Sequence, residues 1–237
     1  MSSIAALAEL PQLERRTLSD TVYEALSDLL ASGRLAPGDR LSLRQSAAAL
    51  GVSVMPVREA VTRLAADGVL EVAPNRMIRV PVMTADAFRA LAETRIAVEG
   101  IAVAKAAERR TEAELATIRR AEAAFRAEAE AAQPDCARAV QLNRDLHFAI
   151  YSACGLAPLQ EIIARLWLKA GPVINLDLRA HPERLLQGFA LRRHAEALAA
   201  IETRDGPAAA AAIAADIREA AAFIMSRGDL RDAQGED

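Results

Sequence analysis

The sequence predicts a mainly α-helical protein with one small β-hairpin in its N-terminal third. Apolar residues make up 52% of the 237 residues and charged residues 26%, a balance typical of a folded chain rather than a disordered one. Beyond position 82, alanine, leucine, isoleucine and valine recur at helical spacing, whereas strand-like patterns are confined to 70–72 and 78–80. We therefore expect two domains, residues 1–82 and 83–230, followed by a disordered tail at 231–237.

The first predicted helix spans residues 18–31. Its apolar residues follow the i, i+3, i+4, i+7, i+8 spacing of a helix with one buried face. Thr17 or Ser19 can cap its start, and Gly33 follows its end. A turn containing Pro37 and Gly38 separates this helix from the next element.

Two short helices are predicted next, with the turn Gly51-Val52 between them. The first spans 43–50, and the second begins after Ser53, whose hydroxyl we expect to accept a hydrogen bond from a free backbone N–H. The strands at 70–72 and 78–80 then form a hairpin. Because helix, turn, helix and wing together place one helix in the DNA major groove, this order predicts an N-terminal winged helix-turn-helix.

Four residues are candidates for DNA contact. Arg58, one turn into the second of these helices, suits a guanine edge or a phosphate, and Arg44 approaches from the preceding helix. Arg76 at the wing tip suits the minor groove or the backbone, and Ser53 lies at the positive end of a helix dipole. Each arginine alone also fits an ordinary surface charge, but their combination in this topology favours DNA binding.

The overall charge indicates modest non-specific affinity for DNA. Net charge is −3, and residues 1–82 carry nine arginines, no lysine and nine acidic residues, so this segment is neutral. Non-specific affinity comes from phosphate neutralisation. We therefore expect the protein to rely on a dimer that doubles its contacts with DNA.

These motifs resemble the winged-helix domain of the GntR family of bacterial transcription regulators. The resemblance is carried by Gly33-x-Leu35-x-Pro37-Gly38 and by Leu50-Gly51-Val52-Ser53-x-x-Pro56-Val57-Arg58-Glu59-Ala60. It implies that Arg44 and Arg58 contact DNA. Val54 stands where many members carry arginine, and Asn75-Arg76 stands where glycine is frequent, which implies a different operator.

The rest of the chain predicts a C-terminal all-α helical bundle. We expect helices over 85–108, 112–132, 135–153, 158–168, 182–202 and 207–227. Glycine and proline mark the boundaries, among them Gly155, Gly171-Pro172 and Gly206-Pro207.

This half of the chain is similar to the effector-binding FCD domain of the FadR subfamily. The motifs are Glu93-Thr94-Arg95-x-x-Val98-Glu99, Leu142-Asn143-x-x-Leu146-His147 and Arg193-His194. The resemblance implies a homodimer that binds a palindromic double-stranded operator and responds to a small organic acid. Arg95 is a candidate effector-binding residue because a guanidinium pairs bidentately with a carboxylate, although it also fits a structural salt bridge.

The resemblance also implies a divalent metal site at Asn143, His147, His194 and Asp216. Asn143 and Asp216 depart from the aspartate and histidine usual at those positions. Asn143 and His147 are spaced i, i+4 and so share one helix face. Zn²⁺, Ni²⁺ or Mn²⁺ suits such a set. The alternative is a pair of buried, hydrogen-bonded histidines without metal.

We therefore expect a ligand-responsive DNA-binding regulator, with repression as its expected mode, and not an enzyme. No apolar run approaches the roughly 20 residues of a membrane span, and the N-terminus lacks a basic region before its apolar residues, so we expect a cytoplasmic protein. One alternative is a metal-dependent enzyme with an accessory DNA-binding domain. Another is an architectural DNA binder, which leaves the internal polar residues unexplained.

Overall fold

The computed structural model describes residues 17–73, 77–180, 185, 188–227 and 230, with only the backbone described at 178–180. Asn75, Arg76, His181 and the tail at 231–237 lie outside the described residues, so the structure does not describe the expected wing-tip contact. Among the described residues, no helix is long and apolar enough to cross a membrane.

The N-terminal domain has the expected helices and a small sheet. Its elements are α1 Leu18–Ala31, β1 Arg40–Leu41, α2 Leu43–Leu50, α3 Val54–Ala66, β2 Glu71–Val72 and β3 Ile78–Arg79. The winged helix-turn-helix prediction is therefore confirmed. The sequence did not predict β1, which joins the hairpin as a third antiparallel strand in the order β1-β3-β2. Because β1 has two residues, it is too short to show an alternating pattern, and its pairing with β3 decides its conformation.

The helix starts differ in one instructive way. Thr17 and Ser42 each accept a hydrogen bond from the backbone N–H three residues later, as N-caps do. Ser53 has the backbone conformation of an N-cap but makes no side-chain cap hydrogen bond, so that expectation was wrong. The physical reason is Pro56, which occupies the third helical position of α3 and has no N–H to donate.

The C-terminal part is an all-α bundle, as predicted. Its helices are α4 Ala85–Arg109, α5 Glu112–Ala129, α6 Cys136–Ser152, α7 Ala157–Ala180, α8 Phe189–Glu202 and α9 Gly206–Ser226. The core brings α4 and α9 together through alanines, including the fully buried Ala102, Ala106 and Ala209. Small side chains let the two helix backbones approach closely, because a Cβ at Gly206 would lie 3.1 Å from the Ala104 carbonyl oxygen.

The expected break at Gly171-Pro172 was wrong, because α7 continues through both residues. Gly171 is needed for packing: a Cβ there would lie 3.0 Å from the Cα of Ala31 in α1. Pro172 removes one backbone donor from the helix, and tertiary contacts hold the remaining turns in place.

Of the helix expected over 182–202, the structure describes α8 from Phe189 to Glu202, and Leu185 before it is also helical. Gly188 precedes α8 with a φ of 69°, a left-handed conformation that interrupts a right-handed helix and suits glycine. Residues 182–184, 186 and 187 lie outside the described part of the chain.

The two domains meet through α7. Leu168 of α7 is buried in the same cluster as Leu26, Leu30 and Leu64 of the N-terminal domain. Two ion pairs also cross the junction, Arg144 with Asp28 at 3.3 Å and Arg165 with Asp67 at 3.7 Å. This junction places the C-terminal end of α1 beside the interior of the helical bundle.

Candidate functional site

The first candidate site is the exposed face of α2 and α3. Arg44 and Arg58 are both exposed, and no described residue pairs with either guanidinium. By contrast, Arg63 donates to Asp20 at 2.7 Å and lies over the ring of Tyr23. The structure therefore leaves Arg44 and Arg58 available for an external anion and uses Arg63 within the fold.

The start of α3 is suited to a phosphate. Because Ser53 does not cap the helix, its hydroxyl and the first N–H groups of α3 are left for an external acceptor. The helix dipole adds a partial positive charge at the same end. Met55 is 56% exposed on this first turn, which gives the helix an apolar contact of the kind that a thymine methyl accepts.

The second candidate site is an internal cavity of about 70 Å³ in the helical bundle, large enough for several water molecules. Its walls include three of the four predicted metal-ligand residues, together with residues of both domains. The residues that matter for its chemistry are Arg95, Asn143, His147, Trp167, Asn175 and Asp216, with Ala31 from α1. His194 belongs to the same cluster, since its ligand atoms lie within 4.8 Å of those of His147 and Asp216.

Three predicted ligands converge on one point from three helices. Nε2 of His147 on α6 lies 3.5 Å from Oδ2 of Asp216 on α9, and Nε2 of His194 on α8 lies 3.7 Å from Oδ1. Neither Nε2 atom has a hydrogen-bond partner among the described residues, although both histidines are at most 2% exposed. Asn143 lines the same cavity one turn before His147.

These distances suit a cation between the three side chains. Two ligands bound tetrahedrally at about 2.1 Å from zinc lie about 3.4 Å apart, close to both separations. Three buried polar groups at longer than hydrogen-bonding distance are otherwise costly. The donor set of two imidazoles and one carboxylate therefore fits a divalent transition metal, with the Asn143 amide oxygen as a weaker fourth donor.

A buried hydrogen-bond relay selects the tautomer of His147. The Tyr151 hydroxyl donates to Oε2 of Glu99 and lies 2.9 Å from Nδ1 of His147. Since the hydroxyl hydrogen is engaged in the bond to Glu99, the hydroxyl oxygen accepts a hydrogen bond from Nδ1–H of His147. The tautomer with a bare Nε2 follows, and Nε2 is the atom that faces Asp216.

Protonation of the cluster follows from burial and charge. Burial lowers the pKa of His147, and the nearby Asp216 opposes that change only in part. Burial raises the pKa of Asp216, but the nearby His194 and His147 lower it by a larger amount. The net pKa of Asp216 therefore lies below its usual value. Burial also raises the pKa of Tyr151 well above its usual value, which keeps the hydroxyl proton that the relay requires.

Arg95 lines the cavity, as a predicted effector contact should, but it is also the structural partner of Glu99. Nε of Arg95 donates to Oε1 of Glu99 at 2.6 Å, and its guanidinium carbon lies 4.7 Å from the Trp167 ring centre. The bonds to Glu99 use Nε and Nη2, which leaves Nη1 for a ligand. Arg95 can thus form the structural ion pair with Glu99 and still contact an effector through Nη1.

Three buried residues at or beside the cavity had no assigned role in the sequence: Asn175 lines it, and Glu99 and Tyr151 form the adjoining hydrogen-bond relay. Glu99 and Tyr151 carried a usable pattern, because each lies four residues after a predicted site residue, Arg95 and His147 respectively. Asn175 carried none, since it lies beyond the expected break at Gly171-Pro172.

Comparison with known proteins agrees with both halves of the molecule. The model of the bacterial regulatory proteins of the gntR family matches residues 18–80, and the model of the FCD domain matches residues 90–219. The HTH-type transcriptional regulator McbR of Escherichia coli (strain K12) is 30% identical over 198 residues, 82% of this chain and 86% of McbR. The uncharacterized HTH-type transcriptional regulator BphR of Paraburkholderia xenovorans (strain LB400) is 29% identical over 217 residues, 82% of this chain and 84% of BphR.

Solved structures give the same result. The structure of E. coli McbR/YncC superposes on this chain with a TM-score of 0.82 at 28% sequence identity. The superposition covers 91% of this chain and 100% of that chain. A GntR transcriptional regulator from Rhodococcus sp. RHA1 superposes with a TM-score of 0.72 at 26% identity, covering 90% of this chain and 99% of that chain. These relatives are regulators rather than enzymes. The chain therefore belongs to the GntR family of bacterial transcription regulators and carries an FCD effector-binding domain.

Proposed function

We propose that the protein is a homodimeric repressor that binds a palindromic operator and is controlled by a small carboxylate held at a divalent metal. The observation that carries this proposal is the convergence of His147, His194 and Asp216 at the wall of a cavity that Arg95 also lines. The metal supplies a Lewis-acidic position for a carboxylate oxygen. Such a regulator acts where the DNA is, in the cytoplasm.

The residues divide the work in this proposal. His147, His194, Asp216 and Asn143 hold the metal, and Nη1 of Arg95 pairs with the ligand carboxylate. Arg44, Arg58 and Ser53 contact the operator from α2 and α3, and Arg76 contacts it from the wing. Residues 1–82 form the DNA-binding domain and residues 83–230 the effector and dimerisation domain.

A dimer is supported by charge and by operator geometry. The neutral N-terminal segment gives one copy few phosphate contacts, and two copies double the number. Two half-sites about 34 Å apart then require a two-fold partner. The effector acts only if it binds one arrangement of the two domains more tightly than the other.

The test uses the full chain and DNA from its own upstream region. Zinc content is measured after dialysis, and operator affinity is measured by gel shift with and without zinc and a panel of small organic acids. We expect the double variant His147→Ala/His194→Ala to lose zinc and the acid response while keeping basal operator binding. The control His181→Ala replaces the third histidine of the chain and is expected to keep both. An unchanged acid response in the double variant contradicts the metal-based site.

A further inference from the structure

The junction between the two domains forms part of the cavity wall. Ala31, at the end of α1, lines the cavity that holds the predicted metal ligands. Gly171 of α7 lies against it, and a Cβ at Gly171 would be 3.1 Å from the Leu30 carbonyl oxygen. A Cβ at Gly33 would lie only 2.0 Å from the Cβ of Asn175, so the α1 end and α7 are in direct contact.

Asn175 caps α1 from the other domain. Its Nδ2 donates a hydrogen bond to the Ala31 carbonyl oxygen. That carbonyl is among the last four of α1, which have no partner within their own helix. The neighbouring carbonyls are used locally, since Gly33 N donates to Leu30 and Arg34 N donates to Leu29. The hydrogen-bond donor for the Ala31 carbonyl therefore comes from Asn175 of the helical bundle.

The oxygen atom of the same side-chain amide makes no hydrogen bond to any described residue. Asn175 is 1% exposed and lines the cavity, and its Oδ1 has no hydrogen-bond partner among the described residues. A buried amide oxygen without a donor is costly, and a donor within the cavity removes that cost. One planar group thus offers an acceptor to the cavity and a donor to the helix of the DNA-binding domain.

We propose that Asn175 is both a specificity residue for the effector and the link from the effector to α1. Oδ1 accepts a hydrogen bond from a hydroxyl carried by the ligand, so the preferred ligand is a small hydroxy acid rather than the acid without the hydroxyl. An ionised carboxylate has no donor to offer at this position. Ligand binding fixes the amide plane, and Nδ2 then holds the end of α1 more firmly. This inference rests on the proposed effector function of the cavity.

Two measurements on the full chain separate recognition from coupling. Fluorescence of Trp167, the single tryptophan, reports binding because its ring lines the cavity. Hydrogen exchange at the amides of Gly33, Arg34 and Leu35 reports the end of α1, since these amides bond to Leu29 and Leu30. The probes are glycolate and acetate, which differ by one hydroxyl, each added with Zn²⁺.

In the wild type we expect glycolate to bind more tightly than acetate and to slow exchange at the three amides. In Asn175→Ala we expect the preference for glycolate over acetate to fall about fivefold, the size of one neutral hydrogen bond. The slowing of exchange at the α1 end should disappear in the same variant. The matched control is Leu176→Ala, at the next position of α7, where the side chain is 42% exposed.

A second variant keeps the test decisive if Asn175→Ala folds poorly. Gly171→Ala retains the Asn175 amide but pushes α7 away from Ala31, so ligand preference should persist while the exchange response is lost. Asn175→Ala that keeps both the preference and the exchange response overturns the inference. If wild-type Trp167 fluorescence responds to neither Zn²⁺ nor acid, the proposed effector function fails and the inference fails with it.

Discussion

Nδ1 of His147 lies 2.9 Å from the hydroxyl of Tyr151, one helical turn further along α6. Since the Tyr151 hydroxyl donates its hydrogen bond to Glu99, the histidine must donate through Nδ1 and present a bare Nε2. A residue of the protein interior, rather than the metal, therefore sets the tautomer in advance.

Removing that hydroxyl tests its role. We expect Tyr151→Phe to lower Zn²⁺ affinity about tenfold, because a partner of this kind orients the ligand and raises its basicity. The measurement is competitive titration against a zinc-binding dye. Phe148→Leu, a substitution on the same helix without loss of a hydrogen bond, should leave affinity nearly unchanged. Equal zinc affinity in Tyr151→Phe and wild type shows that the relay does not act on the metal.

The charge pair at the end of this relay is a stability element. Glu99 is fully buried and Arg95 is 5% exposed, so Glu99→Gln leaves an uncompensated guanidinium in the core. We expect a loss of about 3 kcal/mol in the free energy of unfolding, measured in urea. The matched change Glu202→Gln disrupts the exposed pair with Arg119 and should cost less than about 1 kcal/mol. Similar losses in the two variants contradict a special role for burial.

Ser53 is expected to matter for DNA and not for folding. Because its hydroxyl does not cap α3, Ser53→Ala should change the melting temperature little while weakening operator binding. Thr111→Ala is the comparison, since Thr111 caps α5 with a reciprocal bond to Glu114 and its loss should cost about 1 kcal/mol. A large drop in melting temperature for Ser53→Ala means that the hydroxyl supports the helix after all.

Arg58 and Arg63 give a matched pair on α3. Arg58→Ala should abolish specific binding or, if the side chain contacts phosphate, reduce the slope of log affinity against log salt by about 1 per copy. Arg63→Ala should weaken the contact with Asp20 and leave that slope unchanged. Gel shifts at several salt concentrations measure both, and size-exclusion chromatography checks that the oligomer is unaffected. Retained operator affinity in Arg58→Ala contradicts its placement in the DNA interface.

The local patterns in the sequence predicted most of the fold. Helical spacing located α1 and α2 residue for residue, because each has a polar cap before an apolar stripe. The same rules failed at Gly171-Pro172, where packing against Ala31 outweighs helix propensity. They also missed β1, which is defined by its partner strand rather than by its own two residues.

Spacing along one helix predicted only part of the candidate site, and His194 and Asp216 were named through the family resemblance. Asn143, His147 and Tyr151 follow one another at four-residue steps, so they occupy one face of α6. The convergence of His194 and Asp216 on that face depends on how three helices pack. No spacing along the chain brings Asn175 to Ala31, which lies 144 residues away.

The close approach of Gly171 and Gly33 to the facing helices also limits which winged-helix domains can be joined to this helical bundle. A chimera that joins a foreign winged helix to this bundle would place a new α1 end against α7. If the foreign α1 end has a residue other than glycine at position 33, that end must shift away from α7, because the added Cβ would lie 2.0 Å from the Cβ of Asn175. We therefore expect a chimera to combine operator preference with ligand response only if it also preserves this contact between α1 and α7.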